Sequence, residues 1–298
     1  MLLASGRGAP PRDPGKVVEV KWDGCRAQLV VTADGLRLWS RYRHDHTCRF
    51  PEIAPIADAL AGHEVILDGE LVVFGDEGRP DFERLRARLQ RSREASIAAA
   101  ASQHPATFIA FDVLWLDGED LCPLPWRERR AILEDLQLEG RTWSTPAAFS
   151  CEEHDLYAIA WEHGLEGVVT KAVDAPYRPG VRPGPSSPSC WVKWKARRAA
   201  VVEITGFRPR GDGGEDVDVF FVAHPRSDGG RRVYAGEVRY GLDAAERARL
   251  RRIVSERQIG RARGGYRRVE CGVLLDVRHH GRPGGMLRDP VITAIRQP

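Results

Sequence analysis

The sequence predicts an α+β protein in two parts, a mostly antiparallel sheet domain followed by a small β-barrel domain. Three observations predict it. Short apolar runs with two-residue alternation recur along the chain, bounded by Gly, Asp and Pro; helical spacing is confined to a few stretches between them; and after "CWVKWKARRAA" the pattern changes to short strands with a single helix. At 298 residues the chain is long enough for two ordinary cores.

Residues 1–15, "MLLASGRGAPPRDPG", are expected to be a flexible arm, because the apolar region is too short for a signal peptide and runs straight into Pro and Gly. The first domain is expected to span 16–198. It opens with the strand-like "VVEVKWDGCRAQLVV", and "AQLVVTADGLRLWSR" reads strand, Asp34-Gly35 turn, strand. "PEIAPIADAL" carries Ile53, Ile56, Ala57 and Leu60 at helical spacing. "VILDGELVVFGDEGRPDF" repeats the hairpin scheme around Asp76 to Gly78, and "FIAFDVLWLDG" and "LEGVVTKA" are further β-rich runs. Asp68-Gly69 and Asp117-Gly118 both have turn composition, the second with the stronger claim. "EEHDLYAIAWEHG" is a helix stopping at Gly164, and the Pro/Gly/Ser-rich stretch from Arg178 to Ser189 is a surface loop.

From 199 to 298 come the strands "VVEITGF", "VDVFFVAH" and "RVYAGEVRY". A helix follows that begins with an Asp243-x-x-Glu246 start, shows Leu250, Ile253 and Val254 on its apolar face, and ends at Gly260. Several short strands and one helix in about 100 residues fit a small Greek-key barrel of the oligonucleotide-binding (OB) type.

Composition narrows the function classes. Hydrophobic residues are 42% and charged ones 29%, and no apolar run approaches the roughly 20 residues of a membrane helix. The six cysteines show no Cys-x-x-Cys spacing, which argues against a zinc site or a disulfide framework and fits a reducing cytosol. The net charge of +3 is unevenly divided: from Ala199 onward there are 19 basic and 13 acidic residues, so the C-terminal third suits a polyanion.

Only five of the 45 basic residues are lysines. Arginine stays charged, whereas lysine can lose its proton and attack an electrophile, so the few lysines carry information. Four of them stand in sharply defined β-rich contexts: Lys21 in "EVKWDGCR", Lys171 in "EGVVTK", and Lys193 with Lys195 in "WVKWK". Alternation puts Glu19, Lys21 and Asp23 on one strand face, and Trp191, Lys193 and Lys195 on another. Adjacent cations would lower the pKa of a neighbouring lysine and bind polyphosphate. Alternation also puts Glu166 and Lys171 on opposite faces, so both can serve one site only if Glu166 stands at the strand entrance or a bulge intervenes.

"KWDGCR" resembles motif I, Lys-x-Asp-Gly-x-Arg, of the covalent nucleotidyltransferases, which comprise DNA ligases, RNA ligases and mRNA capping enzymes. The ordered set that follows, "SRYRHD", "LDGELVVF", "FDVLWLDG", "EGVVTK" and "WVKWK", resembles the successive motifs of ATP-dependent DNA ligases, above all small bacterial ligases and the ligase domains of bacterial end-joining proteins. The resemblance covers about residues 16–298. It implies an adenylation domain followed by an OB-fold domain, with Lys21 as the nucleophile that takes AMP from ATP. It further implies that Arg26 positions the nucleotide or nick phosphate, Glu19 reads the adenine amino group, and Phe111 stacks on the purine. Glu70 would hold ribose or metal, Glu166 would be a metal carboxylate, and Lys171, Lys193 and Lys195 would clamp phosphate charge. Arg41 would touch nicked DNA or the nucleotide, and Arg288 and Arg296 would bind DNA or orient the triphosphate.

The reaction so implied has three steps: Lys21 is adenylylated, AMP moves to the 5′-phosphate of a DNA nick, and the 3′-hydroxyl displaces AMP. Magnesium or manganese would be the metal cofactor, and nicked double-stranded DNA the partner, alongside other repair proteins. The expected setting is a monomer in the bacterial cytoplasm, associated with the nucleoid and not with a membrane. No DNA-clamping domain is expected before motif I, so affinity would come from the barrel, the 178–189 loop and phosphate contacts. Two departures stand out: "RQP" occupies the place of the family's terminal Arg-x-Asp-Lys, and Arg43 occupies the glycine position of "SRxG". The alternatives are an RNA ligase or capping-type enzyme, and a catalytically weakened paralogue that grips DNA ends.

Overall fold

The computed structural model describes residues 3–6, 9–60, 62–151, 155–180, 190–196, 198–210, 217–225, 232–263, 265–270, 272–280 and 285–296. Two compact units divide the chain, Met1–Ala196 and Arg197–Pro298. The first runs in chain order through β1 (Ala4–Ser5), β2 (Lys16–Val20), β3 (Cys25–Thr32), β4 (Gly35–Ser40), the single-turn α1 (Ile56–Ala59), β5 (Val65–Val73), α2 (Phe82–Leu89), α3 (Glu94–Gln103), β6 (Ala106–Leu116), β7 (Glu119–Asp120), α4 (Trp126–Asp135), β8 (Trp143–Ser144), β9 (Phe149–Ser150), α5 (Leu156–Glu162), β10 (Gly167–Ala172) and β11 (Trp191–Lys195).

These strands form two sheets, ordered β1-β11-β10-β2-β9 and β4-β3-β5-β6-β7, with β8 added to β6. All pairings are antiparallel except β1 with β11 and β6 with β8. Each sheet buries one face in an apolar core. Ala27, Leu29, Leu67, Leu71, Phe108 and Val113 alternate inward from β3, β5 and β6 against Leu85 of α2 and Leu133 of α4. In the other sheet Val18 and Val168 pack with Leu156 and Ala160 of α5. The remaining faces carry the chemistry.

Three local expectations change. The segment expected to be a flexible arm contributes β1, where Ala4 and Ser5 pair with Val192 and Lys193, and Gly6 N donates to Lys193 O. Without it β11 would be an edge strand with unpaired backbone groups, and the short apolar start of the chain satisfies that edge. The hairpin expected around Asp76–Gly78 has one strand only: after an isolated bridge between Phe74 and Pro80 the chain enters α2, capped by Asp81 accepting from the amides of Glu83 and Arg84. Asp68-Gly69 lies in the middle of β5 rather than at a turn, and a Cβ at Gly69 would come within 2.5 Å of the Phe108 ring, so glycine is there for close strand packing. Asp117-Gly118 does turn, at φ 46° and 95°.

The backbone at Arg43 accounts for the glycine that the resembled motif has at this position. Arg43 sits at φ 61° in the tight turn after β4, its amide donating to Ser40 O at 2.9 Å. A side chain in that left-handed conformation costs roughly 1–2 kcal/mol.

The second unit comprises β12 (Arg198–Pro209), β13 (Val217–His224), β14 (Val233–Val238), α6 (Ala244–Glu256), β15 (Gln258–Arg263), β16 (Tyr266–Val269), β17 (Leu274–His280) and β18 (Arg288–Arg296). The long strand β12 pairs with β13, β16 and β17, so one strand threads the whole barrel wall around a core of Val202, Ile204, Phe220, Val222, Leu250 and Leu275. The expected capping box of Asp243 and Glu246 is present. The helix ends at Glu256, not at Gly260, which falls inside β15 at φ 71°. The loop at 181–189, Cys271 and the terminal Gln297-Pro298 lie outside the described residues. Among the described residues no helix is long and apolar enough to cross a membrane.

Replacing Arg43 by Gly should leave the protein as stable or up to about 1 kcal/mol more stable, while Arg43→Val, whose branched Cβ fits φ 61° worse, should cost about 1–2 kcal/mol. Paired denaturant titrations of the two variants check this.

Candidate active site

The two sheets of the first unit form a partly open cleft lined by Glu19, Lys21, Trp22, Arg26, Glu70, Phe111, Lys171 and Trp191 among others. Strand register puts the lysines on one face. Lys171 stands opposite Val17 and Trp191, Val169 opposite Glu19 and Lys193, and Gly167 opposite Lys195, with Lys21 N bonded to Gly167 O just beyond the end of β2. The three rows therefore present Lys21 with Lys195, Glu19 with Lys193, and Lys171 with Trp191.

Glu166 stands at the entrance of β10, which resolves the parity conflict with Lys171. Gly167 behind it has φ 140°, and a Cβ there would meet Trp194 O at 2.1 Å, so only glycine lets the chain enter the sheet at this angle. Lys21 Nζ donates to Glu166 Oε2 at 2.5 Å, and Lys195 Nζ lies 3.1 Å from Oε1. Burial alone would raise this carboxyl, but the two lysines outweigh it and hold it below its ordinary range. The immediate partner of the amine is thus a carboxylate, where the sequence suggested only cations. Lys193 shows the expected lowering, through burial first and then the charges of Lys195 and Lys21.

The facing sheet supplies the other wall. Arg26 donates to Asp68 through Nε at 3.0 Å and Nη2 at 2.5 Å, and the Tyr177 hydroxyl donates to Asp68 Oδ2 at 2.7 Å. Asp68 is opposite Asp112 in the ladder, and Asp112 is bound bidentately by the buried Arg129 at 2.8 Å through both nitrogens. Two like charges facing each other across a ladder are destabilising, and each is answered by its own guanidinium. Burial raises the Asp68 carboxyl, yet Arg26 and Tyr177 bring it below its usual value. Phe111 is the extra residue of a β-bulge, since Gly69 pairs with Ala110 and Asp68 with Asp112, and the bulge delivers both Phe111 and Asp112 to the cleft side.

Glu70 is the least compensated acid. Burial pushes its carboxyl up to about 8; Lys21 and Arg26 oppose this, and the neighbouring Glu166 and Asp68 add to it. Trp22 Nε1, also at the cleft, is buried without a hydrogen-bond partner. Among the described residues no cluster of three or more His, Cys, Asp or Glu exists. The oxygen donors Glu70 and Glu166 fit a magnesium-type ion, which binds through one or two carboxylates and completes its shell with water and phosphate.

The structure thus brings Glu19, Lys21, Arg26, Glu70, Phe111, Glu166, Lys171, Lys193 and Lys195 together. Lys171 stands apart from the other lysines: it is 2% exposed, 2.8 Å from Glu19 Oε1, and donates to Phe111 O at 3.1 Å. Arg41 is not part of the cleft lining; it lies beside Tyr42, which is 77% exposed, and reaches Lys193 only through its charge. Arg288 and Arg296 lie at the two ends of β18 in the second unit, with Arg296 held by Asp276 at 2.8 Å. Sequence reasoning missed Asp68 and Tyr177. Asp68 had a signal, the two-residue spacing to Glu70 in "LDGEL"; Tyr177 had none.

A lysine bound to a carboxylate, flanked by cations and by an aromatic cleft, on a domain of two antiparallel sheets joined to an OB-fold domain, is the architecture of the covalent nucleotidyltransferase type. The family model of the ATP dependent DNA ligase domain matches residues 12–195, and the chain belongs to that family. It is 33% identical over 257 residues to the multifunctional non-homologous end joining protein LigD of Mycobacterium bovis, spanning 86% of this chain and 31% of that protein. It is 31% identical over 306 residues to a DNA ligase of Methanoculleus marisnigri, over the whole chain and 54% of that protein. The chain thus spans about a third to a half of these curated relatives. Among solved structures, a mycobacterial DNA ligase D complexed with ATP is 29% identical with a TM-score of 0.57 over 99% of this chain and 93% of that one. A Lig E DNA ligase, 17% identical with a TM-score of 0.62, shares the fold.

Because the folded-state value of Glu70 lies above its ordinary 4.5, its stabilising state is the protonated one, fully present below about pH 4.5 and lost as pH rises towards 8. Glu70→Gln should therefore raise the melting temperature of the nucleotide-free protein, with a gain near zero at pH 4.5 that grows up to pH 8. Melting curves of both proteins across that range check the sign.

Proposed function

We propose that this chain seals nicks in duplex DNA through a lysyl-AMP intermediate. The observation that carries the reading is the Lys21–Glu166–Lys195 cluster beside a cleft whose inner end is aromatic and holds the Glu19–Lys171 pair. Glu166 is placed to take the proton that Lys21 must release. The freed amine attacks the α-phosphorus of ATP in line, a P–N bond forms, and pyrophosphate leaves. Phe111 supports the purine by stacking, Glu19 accepts from its amino group, and Lys193, Lys195 and Arg26 offset charge on the phosphates. The bond from Asp68 holds the Arg26 fork in one orientation, which suits bidentate binding of phosphate. Glu70 and Glu166 would hold magnesium or manganese, which supplies charge neutralisation on the phosphates when bound.

In the second and third steps AMP passes to a 5′-phosphate and is displaced by a 3′-hydroxyl, so that phosphodiester formation balances release of AMP. Arg41 and Arg288 would contact the DNA backbone. The names of the mycobacterial relatives support a setting in bacterial DNA repair, and we infer a monomer working in the cytoplasm at the nucleoid.

Incubated with magnesium and ATP, the protein should gain the mass of one adenylate on Lys21 and then seal a nicked duplex; Lys21→Ala should gain none. A wild-type protein that never acquires AMP overturns the reading, and label from GTP, or sealing confined to RNA nicks, would favour a capping-type enzyme or an RNA ligase.

Binding to a nicked duplex should weaken at least roughly tenfold between about 50 and 200 mM salt, since phosphate contacts supply it. Gel shifts at the two concentrations measure this.

A further inference from the structure

We propose that Lys171 is the positioning residue through which this chain selects adenine, acting through Glu19 and Phe111 and not on phosphate. The inference rests on the lysyl-AMP reading above and assigns the inner end of the same cleft.

Position is the first argument. Lys21 is bonded to Gly167, and Lys171 is four residues further along β10, about 13 Å away at the strand rise of about 3.3 Å per residue. The phosphate-side lysines cluster at one end of the sheet face and Lys171 occupies the other. Confinement is the second. Its ammonium lies 4.2 Å from the Trp191 ring, 4.9 Å from Phe111 and 5.9 Å from Trp126, so the flexible stem has no room to swing towards a triphosphate.

The third argument is what the ammonium holds. It touches Glu19 Oε1 at 2.8 Å and donates to the backbone carbonyl of Phe111 at 3.1 Å, so one cation fixes both the acid that faces the base and the residue that stacks on it. The ammonium pairs with Glu19 Oε1 at 2.8 Å. Burial raises the Glu19 carboxyl above its ordinary value, and the charge and hydrogen bond of Lys171 are the largest causes that oppose this rise and favour the ionised form. An ionised Glu19 can only accept, which matches the 6-amino group of adenine and repels the 6-oxo group of guanine. Without the lysine the acid would tend to take up a proton and become a donor, the partner that guanine wants.

The test is calorimetric binding of α,β-methylene triphosphates, which cannot adenylylate Lys21, to the wild-type chain and Lys171→Met. Three bases are compared: adenine, guanine, and unsubstituted purine, which has nothing at C6 to read. The variant should lose about tenfold or more in binding of the adenine analogue relative to its loss for the purine analogue, the size of one charge-assisted hydrogen bond, the purine loss reporting only the stacking on Phe111 that all three bases share. Its preference for adenine over guanine should fall accordingly. Equal weakening for all three analogues, as a phosphate clamp or a damaged fold would give, overturns the proposal, and so does no change. If Lys171→Met does not fold, Lys171→Gln, which keeps a donor in the aromatic box, is judged by the same ratio. Wild type that prefers adenine yet never gains covalent AMP would sink the ligase reading alone; wild type that gains AMP while the variant keeps full base preference would sink this inference alone.

Discussion

Glu166 lies between two ammonium groups, those of Lys21 and Lys195, and this shared carboxylate ties the end of β2 to the end of β11 across the entrance of β10. A buried acid is costly by itself, and two lysines side by side repel; together they satisfy one another at the point where the proposed nucleophilic nitrogen is held. Under the proposed function, the same contact would supply an acceptor for the proton of that nitrogen. Binding of a polyphosphate would offer Lys195 a second anion, so the cluster can redistribute its pairs without any group losing a partner.

The seam between the two sheets repeats this logic along its length. Arg26 answers Asp68, Arg129 answers Asp112, and Lys171 answers Glu19, with Tyr177 closing the first pair through its hydroxyl. Pairs of this kind add little net stability over apolar packing, yet losing one member leaves an unpaired buried charge that costs about 3–5 kcal/mol. The result is a set of side chains with one allowed arrangement, which is what a site for in-line transfer requires. Glu70 is held up by burial, with Lys21 and Arg26 opposing the rise only through their charge.

The second unit is built on a different principle, one long strand bonded in succession to three partners around an aliphatic core. Its basic surplus is carried by arginines spread over the sequence, of which Arg296 is already engaged with Asp276. Under the proposed function, the electrostatic contribution to DNA binding would come from many modest contacts, as expected for recognition of backbone and not of base sequence.

How much of this was legible beforehand depends on the range of the cause. Alternation, turn chemistry and capping act over two to four residues, and they sufficed for β3, β4, β6, β10 and the start of α6, and for recognising four lysines in distinctive strands. The hairpin after β5 failed because the chain turns into α2, capped by Asp81, straight after the Phe74–Pro80 bridge, and Asp68-Gly69 is no turn because Gly69 answers to Phe108 on the neighbouring strand, not to local preference. The flexible arm failed for the same reason, since β1 exists only because β11 has an edge to fill. By itself the sequence determined which residues are chemically able to attack, stack and pair, and the order in which they occur. Only the tertiary structure decided that Lys171 belongs with Glu19 and Phe111 while Lys195 belongs with Lys21. That assignment depends on strand register, and register is set by contacts between residues as far apart as Val17, Lys171 and Trp191, whose separation along the chain carries no local signal.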